Sequence, residues 1–481
     1  MNLATLVRQQ ALSHADKPAV EYRGAAWSYE ECWRRVESLA AGLHARDIGF
    51  PDRVGLCLSD HPEHVLLHFA LARAGACLVP IDHRWSASEK QAAAATFGVR
   101  AVVVEAGAGI EGVDTIPLDA IRAGRGEPLP TERDAPDLPF AMSLSSGTTG
   151  RPKGAIVTHG QMLERFDTQW VSLGIGTADR FILASPLCFG AGRSFSLSIL
   201  AAGGTLILNP PPYEPAELRD AIVASGATAT FLVPTMMRRL VALSAEGPMF
   251  PGLRRLLVSG EAIHADEVDA FRARLTPNLV GYYATSEGGG VSVLQPGDFE
   301  RRGDTVGQAA HRVELEIVGD GGEPRATGDI GRIRYRGPGV SRILVDEAGE
   351  TQASSDDGWF YPGDLGSIDN QGYLSLRGRE QDVIVRGGVN VYPAEVERVL
   401  CSHPGIREAA VIGVPSVTHG EAIVACIASE SGASDEELLA HCRKRLAPYK
   451  LPIRWLRFAS LPKARSGKTD KEALRRIVAG A

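Results

Sequence analysis

The sequence predicts an α/β protein with a large N-terminal domain of mixed or parallel sheets plus a β-rich subdomain, and a small α+β C-terminal domain. From Val54 to about Val280, short β-branched runs alternate with segments of helical period, which is typical of parallel strands joined by crossover helices. After Glu287 the runs become short and alternating and are separated by Gly and Asp, as in antiparallel strands. A compact helix and strand pattern resumes toward the end of the chain. We therefore expect domains over 1–377 and 378–481.

The elements of the α/β region are bounded by characteristic residues, and several of the helices are closed by Gly. The predicted strands are Val54–Leu58, Ala101–Glu105, Arg180–Leu183, Thr205–Leu208, Thr228–Val233 and Arg255–Val258. The predicted helices include His61–Gly75, Glu214–Ser225 and His264–Leu275. Strands alternating with helices indicate more than one open sheet.

The β-rich and C-terminal parts have their own markers. Antiparallel strands are predicted at Val313–Val318, Gly331–Tyr335 and Gly372–Leu376. Pro393 suits the first position of a helix, which carries Glu395 and Glu397 near its start. Ser434, followed by Asp435, Glu436 and Glu437, forms a capping box for another helix. We place the domain boundary near Leu376–Asp382.

Composition excludes several classes of protein. The chain of 481 residues has 58 acidic and 51 basic residues, a net charge of −7 and 44% hydrophobic positions, which indicates large cores rather than disorder or a nucleic-acid-binding surface. No apolar run approaches the roughly 18 residues of a membrane span, and the N-terminus lacks a signal-peptide pattern. The seven cysteines are scattered without a CxxC pair. These features predict a cytoplasmic enzyme with reduced thiols and without a membrane span.

The segment with the strongest chemical content is rich in hydroxyl groups and glycine and ends in lysine. It reads Ser143-Leu144-Ser145-Ser146-Gly147-Thr148-Thr149-Gly150-Arg151-Pro152-Lys153-Gly154. Glycines let backbone N–H groups approach phosphate oxygens, while hydroxyls and an ammonium supply further donors. It is not a Walker A loop, because Pro152 stands where glycine is required and Gly154 stands where Ser or Thr would bind magnesium. We therefore predict a polyphosphate-binding loop outside the P-loop class.

Together with further motifs in the same order, this loop resembles the adenylate-forming superfamily of acyl-CoA synthetases, firefly luciferases and peptide-synthetase adenylation domains. The resemblance covers nearly the whole chain. The further motifs are Tyr283-Ala284-Thr285-Ser286-Glu287, Tyr361-Pro362-Gly363-Asp364, Gly378-Arg379-Glu380-Gln381-Asp382 with Gly387-Gly388, and Pro462-Lys463-Ala464-Arg465-Ser466-Gly467-Lys468. Ala284 and Ser286 depart from the family's usual Gly and Thr.

The resemblance implies an AMP-forming acid–thiol ligase that uses ATP, magnesium and coenzyme A. A carboxylate would attack the α-phosphorus of ATP and release pyrophosphate, and a thiol would then displace AMP from the acyl-adenylate. Catalysis of the first step depends on positioning and on charge stabilisation. The resemblance assigns catalytic roles to Lys468, Glu287 and Thr148, with Glu287 as the carboxylate that binds magnesium.

The resemblance also implies a nucleotide site. Its ATP- and AMP-binding residues are Ser145, Ser146, Gly147, Thr148, Thr149, Gly150, Lys153, Ser259, Gly260, Glu261, Tyr282, Tyr283, Ser286, Asp364 and Arg379. A carboxylate such as Asp364 can accept hydrogen bonds from both ribose hydroxyls. Either Tyr282 or Tyr283 could offer a flat face to adenine, and either could instead belong to the core.

Two further parts of the site follow from the resemblance. The hinge and thiol tunnel would involve Gln381, Gly387 and Gly388, with the small domain rotating between half-reactions. Gln381 stands where the family usually has Asp or Lys.

The acyl pocket would involve Phe189, Arg193 and Gly281. Phe189 stands at a usual His, and Cys188 beside it is expected to be a small buried residue rather than a nucleophile. Arg193 could read a second anionic group on the acid or form a local ion pair. The acid is a small molecule whose identity the sequence leaves open.

Two other functions remain open. A stand-alone adenylation enzyme would load the phosphopantetheine arm of a separate carrier protein, and Glu261 is more typical of such domains. A non-catalytic nucleotide-binding scaffold would have no need for Lys468.

Overall fold

A computed structural model shows how these segments are arranged. It describes residues 1–124, 129, 136–146, 152–243, 247–260, 263, 265–355, 357–386, 389–416, 420–429, 432–464 and 468–479. No helix in these ranges is long and apolar enough to cross a membrane. All seven cysteines are described, and each is a free thiol.

The helices and strands are numbered here in chain order. The helices are α1 (Ala4–Ser13), α2 (Tyr29–His44), α3 (Pro62–Ala74), α4 (Ala87–Thr96), α5 (Leu118–Ala123), α6 (His159–Leu173), α7 (Gly190–Ala201), α8 (Pro215–Ala224), α9 (Pro234–Val241), α10 (Ala265–Arg274), α11 (Phe299–Arg302), α12 (Pro393–Cys401), α13 (Asp435–Arg443) and α14 (Lys471–Ala479). The strands of the first half are β1 (Pro18–Tyr22), β2 (Ala25–Ser28), β3 (Arg53–Cys57), β4 (Cys77–Pro80), β5 (Ala101–Val104), β6 (Asp114–Pro117), β7 (Pro139–Ser146), β8 (Pro152–Thr158), β9 (Arg180–Leu183), β10 (Thr205–Leu208), β11 (Ala229–Leu232) and β12 (Arg255–Val258). The remaining strands are β13 (Leu279–Thr285), β14 (Gly289–Leu294), β15 (Gln308–Ala309), β16 (Glu314–Val318), β17 (Gly331–Arg336), β18 (Ile343–Asp346), β19 (Gly349–Gln352), β20 (Asp364–Ile368), β21 (Leu374–Arg379), β22 (Ile384–Arg386), β23 (Val389–Val391), β24 (Ile406–Ser416), β25 (Gly420–Ser429) and β26 (Arg454–Phe458).

Two large sheets form the first part of the molecule. One has the strand order β15-β14-β13-β12-β11-β9-β10-β1-β2, and the other has the order β19-β18-β8-β7-β4-β3-β5-β6. Strands β9 to β13 run parallel to one another, as do β3, β4, β5 and β6, and the antiparallel pairs, such as β13 with β14, lie toward the sheet ends. The predicted α/β fold with more than one sheet is therefore confirmed.

The largest core lies between these two sheets. It joins side chains of one sheet, such as Phe181 and Leu206, to side chains of the other, such as Val54 and Leu78. Helices α1, α2, α3, α6 and α7 contribute to the same cluster, so they are sandwiched between the sheets. Burial on both faces explains why these strands read as continuous apolar runs rather than as alternating ones.

A four-stranded antiparallel sheet, β16-β17-β20-β21, follows the two large sheets. It corresponds to the β-rich subdomain that the sequence predicts. The prediction at Gly372–Leu376 begins two residues too early, since β21 covers Leu374–Arg379.

The last sheet combines β23-β22-β25-β24 with β26, which pairs parallel to β25. Its side chains alternate between two cores: Val411 and Ile423 face one cluster, whereas Ile412 and Val424 face the other. This alternation is the two-residue period of a strand covered on both faces. The predicted helix starting at Pro393 is present, and Ser434 caps its helix by accepting from the Glu437 amide.

Candidate active site

The hydroxyl- and glycine-rich segment falls between two antiparallel strands. In the pairing of β7 with β8, Ser145 lies opposite Lys153 and Leu144 lies opposite Gly154. Lys153, half-buried, therefore stands near the start of the return strand. The predicted residues Gly147, Thr148, Thr149 and Gly150 lie outside the described residues, as do the side chains of Ser145 and Ser146.

The two tyrosines of β13 point to opposite faces of the strand. The Tyr283 hydroxyl donates a hydrogen bond of 2.5 Å to Oδ2 of Asp364. Tyr282 instead packs against Phe195, with ring centroids 5.8 Å apart. Burial raises the pKa of Tyr282 to about 12 and the pKa of Tyr283 well above its ordinary value, so both phenols are neutral at physiological pH. Only Tyr283 stands beside the predicted ribose carboxylate.

Asp364 is the centre of the contacts around this site. It begins β20 and lies opposite Arg379 of β21, whose Nε is 2.8 Å from Oδ1. Burial raises the pKa of the Asp364 carboxyl, and the charge of Arg379, the hydrogen bond from Tyr283 and the charge of Lys468 oppose that rise. Arg379 and Asp364 therefore form an ion pair across two adjacent strands of one sheet.

Lys468, an exposed residue near the end of the chain, lies in the neighbourhood of Asp364. Its positive charge is close enough to Asp364 to act on the pKa of that carboxyl. The backbone holds the segment in place, since the Ala464 amide donates to the Lys468 carbonyl at 2.7 Å and Lys463 pairs with Thr469 as an isolated bridge. Two motifs about a hundred residues apart in sequence therefore meet at one place.

Ser286 and Glu287 connect the two large sheets beside the loop. The Ser286 hydroxyl donates to the Leu144 carbonyl at 3.4 Å, just before the hydroxyl- and glycine-rich segment. The Glu287 carbonyl accepts from the Ser341 amide at 2.8 Å and from the Arg165 guanidinium. The predicted magnesium carboxylate therefore belongs to a backbone that adjoins the start of the loop.

The residues around Glu287 fit a metal ion that is bound jointly with a substrate. Across the described ranges, no group of three or more His, Cys, Asp or Glu residues could hold a metal. Magnesium is commonly held by one or two carboxylates together with the phosphates of a bound nucleotide. A single glutamate next to a polyphosphate loop satisfies that requirement.

The other predicted binding residues lie in the turn after β12 and in β13. Ser259 and Gly260 directly follow β12, and Gly260 has a φ of +98°, a conformation that favours glycine. Glu261 lies outside the described residues. Gly281 lies opposite Leu294, and a Cβ on Gly281 would come within 3.1 Å of the Leu294 Cβ. The close approach of β14 therefore accounts for the glycine at 281.

The predicted acyl-pocket residues differ in their access to solvent. Phe189 precedes α7, is 37% exposed and lies under the Arg84 guanidinium, which is 5.6 Å from its ring centre. Arg193 is 3% exposed, and it donates to the carbonyls of Cys188 at 3.1 Å and Met142 at 3.3 Å. The local ion pair expected as one alternative for Arg193 is wrong within the described residues, because its partners are carbonyls.

Burial sets the protonation behaviour of this region. It lowers the pKa of Arg193 to about 10, and it raises the pKa of the Cys188 thiol to about 12. A thiol that is hard to ionise is a poor nucleophile. This agrees with the expectation that Cys188 is not a nucleophile, whereas the expectation that it is buried is met only in part, since the residue is half-buried.

Gln381 lies between the β-rich sheet and the last sheet, in a short 3-10 helix, Glu380–Asp382. On one side, Glu380 is 3.4 Å from Arg332 of β17. On the other, Asp382 is 2.6 Å from Arg475 of α14. Gly387 and Gly388 lie outside the described residues, between the paired strands β22 and β23.

Three residues that contact the site are not among the predicted site residues, although Thr285 lies within one of the quoted motifs. They are Arg165, Thr285 and Tyr335: the Thr285 hydroxyl is bonded to the Tyr335 hydroxyl at 2.5 Å, and a Cβ on Gly288 would lie 2.4 Å from the Tyr335 ring. Arg165 follows the helical period of α6 and reads as an ordinary charged position. Only the three-dimensional arrangement brings it to Glu287.

Comparison with known proteins supports the same interpretation. A feruloyl-CoA synthase of Amycolatopsis sp is 33% identical over 477 residues, covering 95% of each chain. An indoleacetate–CoA ligase of Aromatoleum aromaticum is 28% identical and covers 100% of this chain and 98% of its own. The structure of o-succinylbenzoate CoA synthetase from Bacillus subtilis with its acyl-adenylate intermediate superposes with a TM-score of 0.88 at 25% identity, covering 99% and 98% of the two chains. The same synthetase has been solved with ATP and a magnesium ion.

These relatives confirm the predicted reaction class, an AMP-forming acid–thiol ligase that forms acyl-CoA with ATP. Two family descriptions also match the chain, "AMP-binding enzyme" over residues 7–344 and "AMP-binding enzyme C-terminal domain" over residues 395–468. Because these matches take up most of the sequence in the expected order, the chain belongs to the family of AMP-binding enzymes, the adenylate-forming enzymes that its motifs resemble.

Proposed function

We propose that this chain converts an aromatic carboxylic acid, one that carries an aromatic ring, into its CoA thioester. The acid's carboxylate oxygen attacks the α-phosphorus of ATP, and pyrophosphate leaves. The CoA thiol then attacks the acyl carbonyl carbon, loses its proton, and displaces AMP. The observation that carries the proposal is that buried Asp364 is held through one oxygen by Tyr283 and through the other by Arg379, and lies near the charge of Lys468. One site would thereby combine a ribose acceptor with a cation from the end of the chain.

Charge control governs the first half-reaction. We propose that Lys468 lies between the acid's carboxylate and the α-phosphate, two anions whose repulsion its ammonium compensates. The loop residues proposed to hold the phosphates are Ser145, Ser146, Gly147, Thr148, Thr149, Gly150 and Lys153, with Thr148 contacting the reacting phosphate. Magnesium, when bound, supplies charge neutralisation on the phosphate oxygens. Glu287 would hold it, with Ser286 beside it at the start of the loop.

The nucleoside would be bound by Asp364, by Tyr283 of β13 and by the turn after β12. Asp364 would accept from the ribose hydroxyls, and Tyr283 and Arg379 fix its two oxygens in place. We assign adenine to the face of Tyr283 and to the turn of Ser259, Gly260 and Glu261. Tyr282 then serves the aromatic core through its contact with Phe195.

The acid would bind near Phe189, whose partly exposed ring gives a flat wall. An aromatic acid is favoured because feruloyl-CoA synthase and indoleacetate–CoA ligase are named for such acids. Arg193 and Gly281 would line the pocket behind the Phe189 ring. Arg193 would bind the acid only after one of its N–H groups loses its hydrogen bond to the Cys188 or Met142 carbonyl.

The second half-reaction requires the two predicted domains, 1–377 and 378–481, to change their orientation. We propose that Gln381 is the pivot, since the residues on either side of it are tied by ion pairs to different sheets. Rotation would withdraw Lys468 and bring Gly387 and Gly388 to the thiol path.

The thiol acceptor is proposed to be free CoA. Loading of a separate carrier protein is the second candidate, and Glu261 favours it because that residue is typical of peptide-synthetase adenylation domains. We place the reaction in the cytoplasm, where the seven unpaired thiols would stay reduced.

The test is ATP–pyrophosphate exchange across a broad panel of aromatic and aliphatic acids, followed by thioester formation from the best acid with CoA or with a phosphopantetheinylated carrier. We expect exchange with an aromatic acid and thioester with CoA. Thioester only with the carrier would establish the second candidate. Absence of exchange with every acid would instead revive the non-catalytic scaffold.

A further inference from the structure

Arg165 is a buried arginine of α6 whose three hydrogen bonds all go to backbone carbonyls. Its Nε donates to Gly339 at 2.8 Å and its Nη1 to Ser286 at 3.2 Å, while its Nη2 donates to Glu287. The residue is 6% exposed. One guanidinium thus binds two consecutive carbonyls of the predicted magnesium segment and a third carbonyl from a separate loop.

The aliphatic part of the Arg165 side chain packs closely against two glycines. A Cβ on Gly289 would lie 2.9 Å from the Arg165 Cγ, and a Cβ on Gly339 would lie 3.0 Å from the same atom. Gly289 also has a φ of +73°, which a residue with a side chain rarely adopts. The arginine therefore passes between two glycines, and its position is fixed by packing as well as by hydrogen bonds.

The charge of Arg165 is linked to the Glu287 carboxylate. Burial lowers the pKa of Arg165 to about 10, and among the groups that oppose this fall is Glu287. A buried guanidinium retains its proton at physiological pH, so it presents a positive charge close to the carboxylate. The Glu287 carboxylate thus favours the charged form of Arg165.

Arg165 also links Glu287 to the phosphate loop through the chain itself. Strand β8 begins after the loop and carries Lys153, and α6 follows β8 directly. The Glu287 carbonyl accepts from the Ser341 amide as well, so its peptide unit is held from two directions. The Glu287 backbone is therefore tied, through Arg165, to the helix that follows β8.

We propose that Arg165 is a positioning residue for Glu287: by holding the carbonyls of Ser286 and Glu287, it fixes the direction in which the Glu287 carboxylate meets a nucleotide-bound divalent cation. The proposal rests on the proposed role of Glu287. It concerns the cation bound jointly with ATP. Arg165 itself does not touch the reacting atoms.

The test measures cation binding without turnover. Manganese is titrated into the enzyme with α,β-methylene-ATP, which cannot form an adenylate, and unbound Mn²⁺ is followed by electron paramagnetic resonance. We expect Arg165→Met to weaken Mn²⁺ binding about tenfold or more, in the range found for residues that orient metal ligands. Arg165→Lys keeps the charge but reaches fewer carbonyls, so its loss should be intermediate, and it tests the proposal if the Met variant does not fold.

Arg73→Met is the matched control, because the Arg73 side chain is only 8% exposed and also donates to a carbonyl, that of Leu129 at 2.9 Å, but not to those of Ser286 or Glu287. It should leave the Mn²⁺ affinity unchanged, whatever its effect on stability. Glu287→Gln tests the underlying role and should abolish the tight site. If Glu287→Gln weakens binding while folded Arg165→Lys and Arg165→Met variants bind Mn²⁺ normally, the positioning role is wrong. If Glu287→Gln binds normally, the proposed role of Glu287 fails first.

Discussion

At the scale of single residues, His159 shows how burial fixes the protonation state of a side chain near the site. Its Nδ1 accepts from the Leu3 amide at 3.2 Å, so the neutral ring carries its proton on Nε2. Nε2 is buried without a hydrogen-bond partner in the described part of the chain. Burial, helped by the charge of the N-terminus, lowers the pKa of His159 from its usual 6.5 to about 4. The folded protein therefore excludes the proton that the unfolded chain would accept.

This arrangement predicts a loss of stability in mild acid. Between pH 6.5 and about 4 the unfolded chain binds a proton at His159 that the folded protein does not, so the free energy of unfolding falls as the pH falls through this window. The pKa difference corresponds to at most about 3 kcal/mol. We expect His159→Gln to reduce the difference in unfolding free energy between pH 7 and pH 4.5, as measured by urea denaturation.

His14→Gln is the control for this comparison, because His14 is exposed at the end of α1. Its pH dependence should match that of the unmodified protein. An equal loss of stability in acid for the unmodified protein and the His159 variant would show that other groups cause the effect.

At the scale of elements, the segment around Gln381 is held by ion pairs in two directions. Arg332 of β17 holds Glu380, and Arg475 of α14 holds Asp382. The first pair joins the segment to the β-rich sheet, and the second joins it to the last helix. A backbone rotation between these anchors would move the last sheet as a unit.

We expect Arg332→Gln to shift the balance between the two half-reactions. The Arg332–Glu380 pair is partly exposed, so its loss is worth up to about 1 kcal/mol, or about a fivefold change in the population of this orientation. Adenylation, measured by pyrophosphate exchange, should slow relative to thioester formation from supplied acyl-adenylate. Arg336→Gln on the same strand breaks a pair with Glu314 instead and should leave the ratio unchanged. If the ratio of adenylation to thioester formation were the same in both variants, the Arg332–Glu380 pair would have no role in setting the orientation of the small domain.

The elements also show what the sequence could predict. Strands such as Arg180–Leu183 and Thr205–Leu208 have the predicted bounds, because a strand buried on both faces leaves a continuous apolar run. Which sheet a strand joins depends on distant partners. Strand β18 pairs with β8 across almost two hundred residues, and no local pattern indicates that pairing.

At the scale of the whole molecule, the proposed site combines Asp364 of the β-rich sheet with Lys468 near the end of the chain. The motifs predict Asp364, Tyr283 and Lys468 as site residues because each lies in a distinctive short pattern. Arg165 is not predicted, since its proposed role depends on packing and on hydrogen bonds to backbone carbonyls, which leave no sequence pattern. Sequence motifs identify residues that contact a ligand far better than they identify residues that position those contacting residues.

We expect Lys468→Ala to abolish adenylate formation while sparing thiol attack on supplied acyl-adenylate. The ammonium is needed only when the two anions meet, and rotation of the small domain removes it afterwards. The measurement compares pyrophosphate exchange with thioester formation in the same preparation. Lys463→Ala, in the same segment but paired with Glu408, is the control and should retain exchange. Retained exchange in Lys468→Ala would refute the role.

The bond between the Leu3 amide and the His159 ring has a consequence for biosynthesis. Its two ends are 156 residues apart, and the acceptor lies at the start of α6. At roughly 5–20 residues per second, a ribosome needs about 8–30 seconds to make the intervening chain. Throughout that interval α1 can pack against α2 and α3, which are made first, but not against α6 or α7, so the surroundings of α1 are completed only long after α1 itself has been synthesised.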